Sequence, residues 1–241
     1  DLDQLVEWTQ QWQLSFNTEK CKVMLMGGNR NGEAKYKMEG VNKVIGTLQV
    51  TTEEKDLGVW ITNTLKPSNH IAHIVQRANQ TLGLIRRTFT YMDCRLMKQL
   101  FTSLVRPQLE YANVVWHPCL KKDIESLEKV QHRATRMVPG LAKLPYEERL
   151  KRMDLPSLTY RRTRGDAIEV YKYLHGIYQV DSTTMLPLEI SAGMKTRGHT
   201  LKLEKRRCRT QLRSNFFGFR VVDMWNSLPD SVVTATSTNI F

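Results

Sequence analysis

No apolar run in this 241-residue chain approaches the ~20 residues that a membrane-spanning helix needs. The start, Asp1-Leu2-Asp3, has neither the basic segment nor the apolar segment of a secretory leader. Cysteine is sparse: Cys21, Cys94, Cys119 and Cys208 stand far apart with no Cys-x-x-Cys pair. That excludes a zinc-ribbon framework and predicts reduced thiols in an intracellular protein, nuclear or cytoplasmic and not secreted. His117 and Cys119 lie two apart, but no second pair follows at zinc spacing. His70 and His73 read as helix-surface residues. A phosphate-binding loop is missing too, since Gly27-Gly28-Asn29-Arg30-Asn31-Gly32 lacks the Lys-Ser/Thr such a loop ends on and reads as a turn. There is no internal repeat or heptad run, which rules out a solenoid or a long coiled coil. Acidic residues are in deficit, with 24 Asp and Glu against 36 Lys and Arg, for a net charge of +12. That balance points to a polyanionic partner, while a solvated basic surface gives the same count.

What is present divides near Pro67. Before it, Leu2, Leu5, Val6 and Trp12 recur at helical spacing and predict a helix over 2–13. Strands are predicted at Lys20–Met26, around Tyr36–Met38, at Thr47–Val50 and at Leu57–Thr62, forming a small antiparallel sheet. After Pro67 the pattern becomes helical. Ser68 or Asn69 caps a helix with Ile71, Ile74, Val75, Ala78, Leu82 and Ile85 on one stripe. Asp93 caps another, with Leu96, Met97, Leu100, Phe101 and Leu104 inward, and Pro107 suits the first turn of a third. Further helices are predicted over Ile124–Met137, from Pro145 to Leu150, and from Ser157 to Leu174 with Gly176 at its end. A last apolar cluster, Phe216 to Trp225, precedes a Ser/Thr-rich tail expected to fray from Ser231. The fold class expected is α+β: a small antiparallel sheet with one helix, then a mostly α-helical remainder.

The charge is uneven. Residues 121–241 carry 22 Lys and Arg against 13 Asp and Glu, whereas residues 1–120 carry 14 against 11. Lys122, Lys129, Arg133 and Arg136 share a helical face at three- and four-residue steps, and Arg77, Arg86, Arg87 and Lys98 fall largely off the apolar stripes. Phosphate contact and a solvated charged face both produce such sets. Arg161, Arg162 and Arg164 are followed on one helix by Asp166 and Glu169, so part of their charge is expected to be satisfied internally. Lys205-Arg206-Arg207 is open between a nuclear-entry signal, an RNA-binding patch and a solvated turn.

Several short segments occur in a telling order. Leu5, Trp8 and Trp12 precede Phe16-Asn17-Thr18-Glu19-Lys20-Cys21; then come Glu54-Lys55-Asp56-Leu57-Gly58-Val59, Val105-Arg106-Pro107-Gln108-Leu109-Glu110-Tyr111-Ala112, Val115-Trp116-His117-Pro118 and Trp225-Asn226-Ser227-Leu228-Pro229. The series resembles the C-terminal part of the reverse transcriptases of non-LTR (LINE-type) retrotransposons. The resemblance implies a residual palm over 1–66, a helical thumb over 67–140, a basic helical region over 141–230 and the frayed tail over 231–241. It implies RNA-directed DNA polymerisation with Mg²⁺ for the parent enzyme, and RNA or an RNA–DNA duplex as partner, with no membrane and no small-molecule substrate. Leu57, Gly58 and Val59 match the family's primer grip, and Lys20 matches a lysine that assists pyrophosphate departure in an intact enzyme. Two-metal catalysis needs placed carboxylates, and the chain has no Asp-Asp dipeptide; in relatives that hairpin lies upstream of the segment matching Leu5–Trp12. The chain is therefore expected to bind RNA or DNA without polymerising, with no cofactor or metal of its own. A decayed or domesticated copy serving protein interaction, or serving nothing, is the alternative.

Overall fold

The computed structural model describes residues 1–27, 35–40, 44–178 and 198–241. The part of the predicted glycine turn from 28 to 32 lies outside these residues. The chain is α+β and forms two compact units, Asp1–Asn69 and His70–Phe241.

Among its described residues the first unit carries one helix, α1 (Leu2–Gln11), and six short strands: β1 (Lys22–Val23), β2 (Lys37–Glu39), β3 (Ile45–Thr47), β4 (Gln49–Val50), β5 (Glu53–Asp56) and β6 (Val59–Thr62). The expected single antiparallel sheet is replaced by three two-stranded pieces. β2–β3 and β5–β6 are antiparallel, but β1–β4 is parallel. The predicted strand at Thr47–Val50 is split between two partners at the buried Leu48. Such short strands take their direction from whichever neighbour supplies hydrogen bonds, which alternation along one segment does not encode. α1 also turns differently from the expected stripe. Thr9 is its buried residue, while Leu5, Trp8 and Trp12 are exposed, with the two indole rings 6.3 Å apart. The loop at Thr18 rests on the β2–β3 hairpin. A Cβ added at Gly46 would stand 2.8 Å from Thr18 Oγ1, and one at Gly40 2.7 Å from Thr18 Cγ2, so glycine is what permits the approach.

The second unit is helical. α2 (Ser68–Thr88) buries Ile71, Ala78, Leu82 and Ile85, as its stripe predicts. Asn69 does not cap it; its side-chain amide donates to Glu53. His70 corrects the surface assignment. It is buried one position before the stripe begins, and its ring lies 5.0 Å from that of the buried Trp116.

The next helical run has an unusual winding. α3 (Cys94–Leu100), capped by Asp93 Oδ1 accepting from Leu96 N at 2.7 Å, passes into a π-helical turn over Phe101–Val105 and then α4 (Arg106–Glu110). Pro107 has no N–H to donate and its ring crowds the carbonyl four residues earlier. The widened turn relieves that crowding, and Arg106 N donates five residues back to Phe101 O. Widening also changes which side chains face inward. Met97, Phe101, Val105 and Leu109 are all fully buried at four-residue steps, and Leu104, expected inward, is exposed.

After the short α5 (Asn113–Trp116) come α6 (Lys121–Arg136), α7 (Tyr146–Met153) and α8 (Leu158–Leu174). Ser157 Oγ accepts from Tyr160 N at 3.1 Å at the start of α8, and Gly176, with φ +65°, follows its end. α6 packs on both α7 and α8. Beyond them stand α9 (Gln211–Ser214), α10 (Phe217–Asn226) and α11 (Asp230–Val233). Residues 231–241 do not fray. Val233 is fully buried, Tyr171 Oη donates to Ala235 O at 2.6 Å, and the Phe241 ring lies 4.8 Å from that of Tyr171. These apolar residues complete a core of Val170, Tyr171, Val221, Val222 and Trp225.

The charges on α8 are not satisfied along their own helix as expected. Arg161 reaches across to Glu110, with Nη2 to Oε2 at 2.9 Å. Asp166 receives Arg220 Nε at 3.1 Å and Nη2 at 2.9 Å, and His117 Nδ1 stands 3.2 Å away. Arg220 also donates to the carbonyls of Val114 and Asn215 and lies over the Phe217 ring. One buried ion pair thus ties α5, the middle of α8 and the start of α10. Glu169 keeps an ionic partner on its own helix, Lys172, at 2.8 Å.

Candidate nucleic-acid interface

α6 is amphipathic in the simplest sense. Leu127, Val130, Gln131 and Ala134 are buried, and at three- and four-residue steps on the other side Lys122, Lys129, Arg133 and Arg136 are exposed. On α2 the face away from the buried stripe carries Gln76, Asn79, Gln80, Gly83 and Arg87, again at helical steps.

The two faces meet. A hollow of about 860 Å³ is lined from α6 by Glu125, Lys129, His132, Arg133 and Arg136, from α2 by Val75 and Asn79, and by Thr159 at the start of α8. A second hollow of about 530 Å³ is lined by Gln76, Asn79, Gln80, Gly83, Arg87 and Arg133. Asn79 and Arg133 belong to both, and Arg133 Nη1 donates to Asn79 Oδ1 at 3.0 Å. The two hollows adjoin at this bonded pair and are together called the α2–α6 groove, with Arg87 lining one and Lys129 and Arg136 the other.

Charge in the groove is mostly of one sign. Glu128 is committed to structure: its oxygens accept from Leu158 N at 3.2 Å, Thr159 N at 3.3 Å and the Tyr146 hydroxyl. Its carboxylate therefore neutralises the positive end of α8. Tyr146 stays a phenol, since burial and then Glu128 push its ionisation far up. His132 stacks on the Tyr146 ring at 3.4 Å. Burial first, and then the Arg149 guanidinium, hold His132 below the ordinary histidine range, so at neutral pH it is an uncharged member of the lining. Arg149, itself buried, donates to His132 O at 2.8 Å and Thr135 Oγ1 at 2.7 Å and braces α7 against α6. Glu125 is the exposed acid among the cations.

Of the predicted residues, Lys129, Arg133, Arg136 and Arg87 are brought into one groove. Lys122 is on the same face of α6 but outside the lining, and Arg77 and Arg86 are exposed elsewhere on α2. Lys98 is spent on Asp154 at 2.6 Å. In the first unit, Leu57 and Gly58 are the turn of the β5–β6 hairpin, with φ +44° and +90°, and Val59 is buried at the start of β6. A two-residue turn with both φ positive suits the twist of the strands it joins, so glycine is required there by the hairpin itself. Leu57 is 86% exposed at the tip. Lys20 is exposed at the end of a turn in which Asn17 Oδ1 accepts from Glu19 N at 3.1 Å and Lys20 N at 3.3 Å. Asn79, Gln76 and Gln80 escape a reading of the sequence for charge; the uncharged polar stripe of α2, opposite its apolar one, is the signal that points to them. Among the described residues no helix is long and apolar enough to cross a membrane. Compared with protein-family models, characterised proteins and solved structures, the chain gives no match.

Proposed function

We propose that this chain is the C-terminal part of a reverse transcriptase of the non-LTR retrotransposon type, and that its α2–α6 groove holds the phosphate backbone of an RNA or RNA–DNA duplex. The ordered motifs support the family; the groove supports the activity. The observation that carries the second is the meeting of Arg87, Arg133, Lys129 and Arg136, from two helices, along one polar groove. Cations attract phosphates of any sequence, and neutral amides at Gln76, Asn79 and Gln80 donate to phosphate and sugar oxygens without repelling them. In this reading the first unit is the end of a palm, the β5–β6 turn corresponds to a primer grip, and the chain alone binds without polymerising. Mg²⁺ belongs to the parent enzyme's carboxylates.

The test is fluorescence anisotropy on duplex RNA across a salt series. Every phosphate neutralised on a duplex adds about 0.9 to the steepness of the salt dependence. The double substitution Arg133→Gln/Arg136→Gln lowers the slope by roughly two and weakens all sequences about equally. Glu125→Gln strengthens binding. Absence of binding at low salt, or unchanged binding when Lys122, Lys129, Arg133 and Arg136 are all replaced by Gln, overturns the reading in favour of a protein-interaction module.

A further inference from the structure

The basic run after residue 200 is not a floppy turn. It lies in a strap fastened along α10. Trp225 Nε1 donates to Leu201 O at 2.8 Å, and His199 Nε2 sits 3.2 Å from Trp225 O. The Asn226 side chain holds Leu203 at both backbone atoms, accepting from its N at 2.8 Å and donating to its O at 2.9 Å. Lys205 then pairs with Asp223 at 2.7 Å. The strap ends at Thr210, whose Oγ1 accepts from Arg213 N at 3.2 Å and starts α9.

Between these fastenings the strap presents charge. Lys205 is engaged by Asp223, and Arg206 lies 4.0 Å from Glu204. Arg207 and Arg209 are exposed and make no ion pair among the described residues. The two arginines flank the half-buried Cys208, and the chain bends at Arg209. Immediately beyond, Arg213 lies over two rings, 5.3 Å from the centroid of Phe216 and 4.7 Å from that of Phe219. Phe216 is 41% exposed. A guanidinium stacked on an accessible aromatic ring offers a planar surface to a base.

We propose that this strap is a docking track for single-stranded nucleic acid, with Arg207 and Arg209 on its phosphates and the Arg213–Phe216 platform stacking an unpaired base. The assignment does not rest on the α2–α6 groove. Two features select a single strand over other polyanions. Bases paired in a duplex cannot reach the platform, and an acidic peptide has cations to meet but nothing to place on the stacked rings. Because the strap is already fastened, binding does not carry the ordering cost that a disordered basic tail would add.

The experiment compares a labelled uridine homopolymer with a duplex RNA by anisotropy, using the whole chain. On a single strand each neutralised phosphate is worth about 0.7 of salt slope, so Arg207→Gln/Arg209→Gln lowers the homopolymer slope by about 1.4. Phe216→Ala weakens the homopolymer roughly fivefold or more, the range of one base–aromatic stack, and Phe216→Trp retains binding. Duplex affinity is unchanged by the Phe216 variants. The Arg133→Gln/Arg136→Gln variant acts on the duplex, so the groove and the strap fail separately. Far-UV circular dichroism checks that each variant is folded. Homopolymer binding unchanged by Arg207→Gln/Arg209→Gln overturns the proposal. So does poly-glutamate competing as well as the homopolymer, with Phe216→Ala without effect; that result makes the strap a protein-docking segment.

Discussion

Replacing Asp166 by alanine strips Arg220 of both its charged hydrogen-bond partners while leaving the guanidinium in place. The two side chains are 6% and 12% exposed, so the freed cation does not regain water. It keeps the carbonyls of Val114 and Asn215 and the face of Phe217, none of which carries a compensating charge. Breaking a buried pair in this way costs about 3–5 kcal/mol, set against the roughly 5–15 kcal/mol that holds a domain folded. With a urea slope of about 1–3 kcal/mol/M, the helical transition moves down by one molar or more, as followed by far-UV circular dichroism. Removing the cation as well, in Asp166→Ala/Arg220→Met, recovers much of the stability, because two apolar side chains do not need each other's charge. The pair also sets an acid limit. Burial alone pushes the Asp166 carboxyl up, but His117 and Arg220 together outweigh it and hold the group below the ordinary carboxylate range. A carboxyl depressed in the folded state contributes stability above its unfolded pKa and loses it as pH falls through the folded value. Wild-type stability therefore drops as pH descends below about 4, and Asp166→Ala flattens that descent. A destabilisation under about 1 kcal/mol, or strictly additive single and double variants, refutes the argument.

Two more outcomes rest on the structure and the composition. Gly83→Ala raises the melting temperature, because a Cβ there meets nothing within 4 Å and glycine within a helix costs about 0.5–1 kcal/mol relative to alanine; an unchanged or lower midpoint shows that the groove wall is less open at this point. Primer extension on an RNA template with Mg²⁺ or Mn²⁺ yields no product with the isolated chain, which has no Asp-Asp pair to hold two metals; incorporation by contaminant-free protein contradicts this.

The parts of the fold legible in the sequence are those whose burial follows one helix's own period. α2, α6 and α8 are readable from Ile71, Ala78 and Leu82, from Leu127, Val130 and Ala134, and from the Ser157 and Gly176 signals at the ends of α8. What is not readable depends on residues far away. The direction of β1 is decided by Gln49–Val50. The π-helical turn comes from a proline acting on the turn before it. Asp166 looks like one charge among several on α8 until Arg220, 54 residues on, is seen to hold it. The same limit governs the site. The periodicity of α6 alone places Lys129, Arg133 and Arg136 on one face, yet only the Arg133–Asn79 bond and the hollows on either side of it show that Arg87 joins them and that Arg77 and Arg86 do not. For the tail, composition misleads: serines and threonines set its average, but Val233, Ala235 and Phe241 set its position.

The π-helical turn gives this helical run a spare residue. From Met97 to Leu109 the chain advances twelve positions while its buried row makes three turns, where an α-helix uses about eleven. Deleting one residue between Phe101 and Val105 would therefore not rotate the downstream half out of the core, as a deletion in α6 or α8 would. The turn would tighten, and Val105 and Leu109 would meet the same neighbours from a regular helix. The cost of such a deletion is then set by Pro107, whose ring would again crowd the carbonyl four residues earlier at about 3 kcal/mol or more, and not by loss of the buried row.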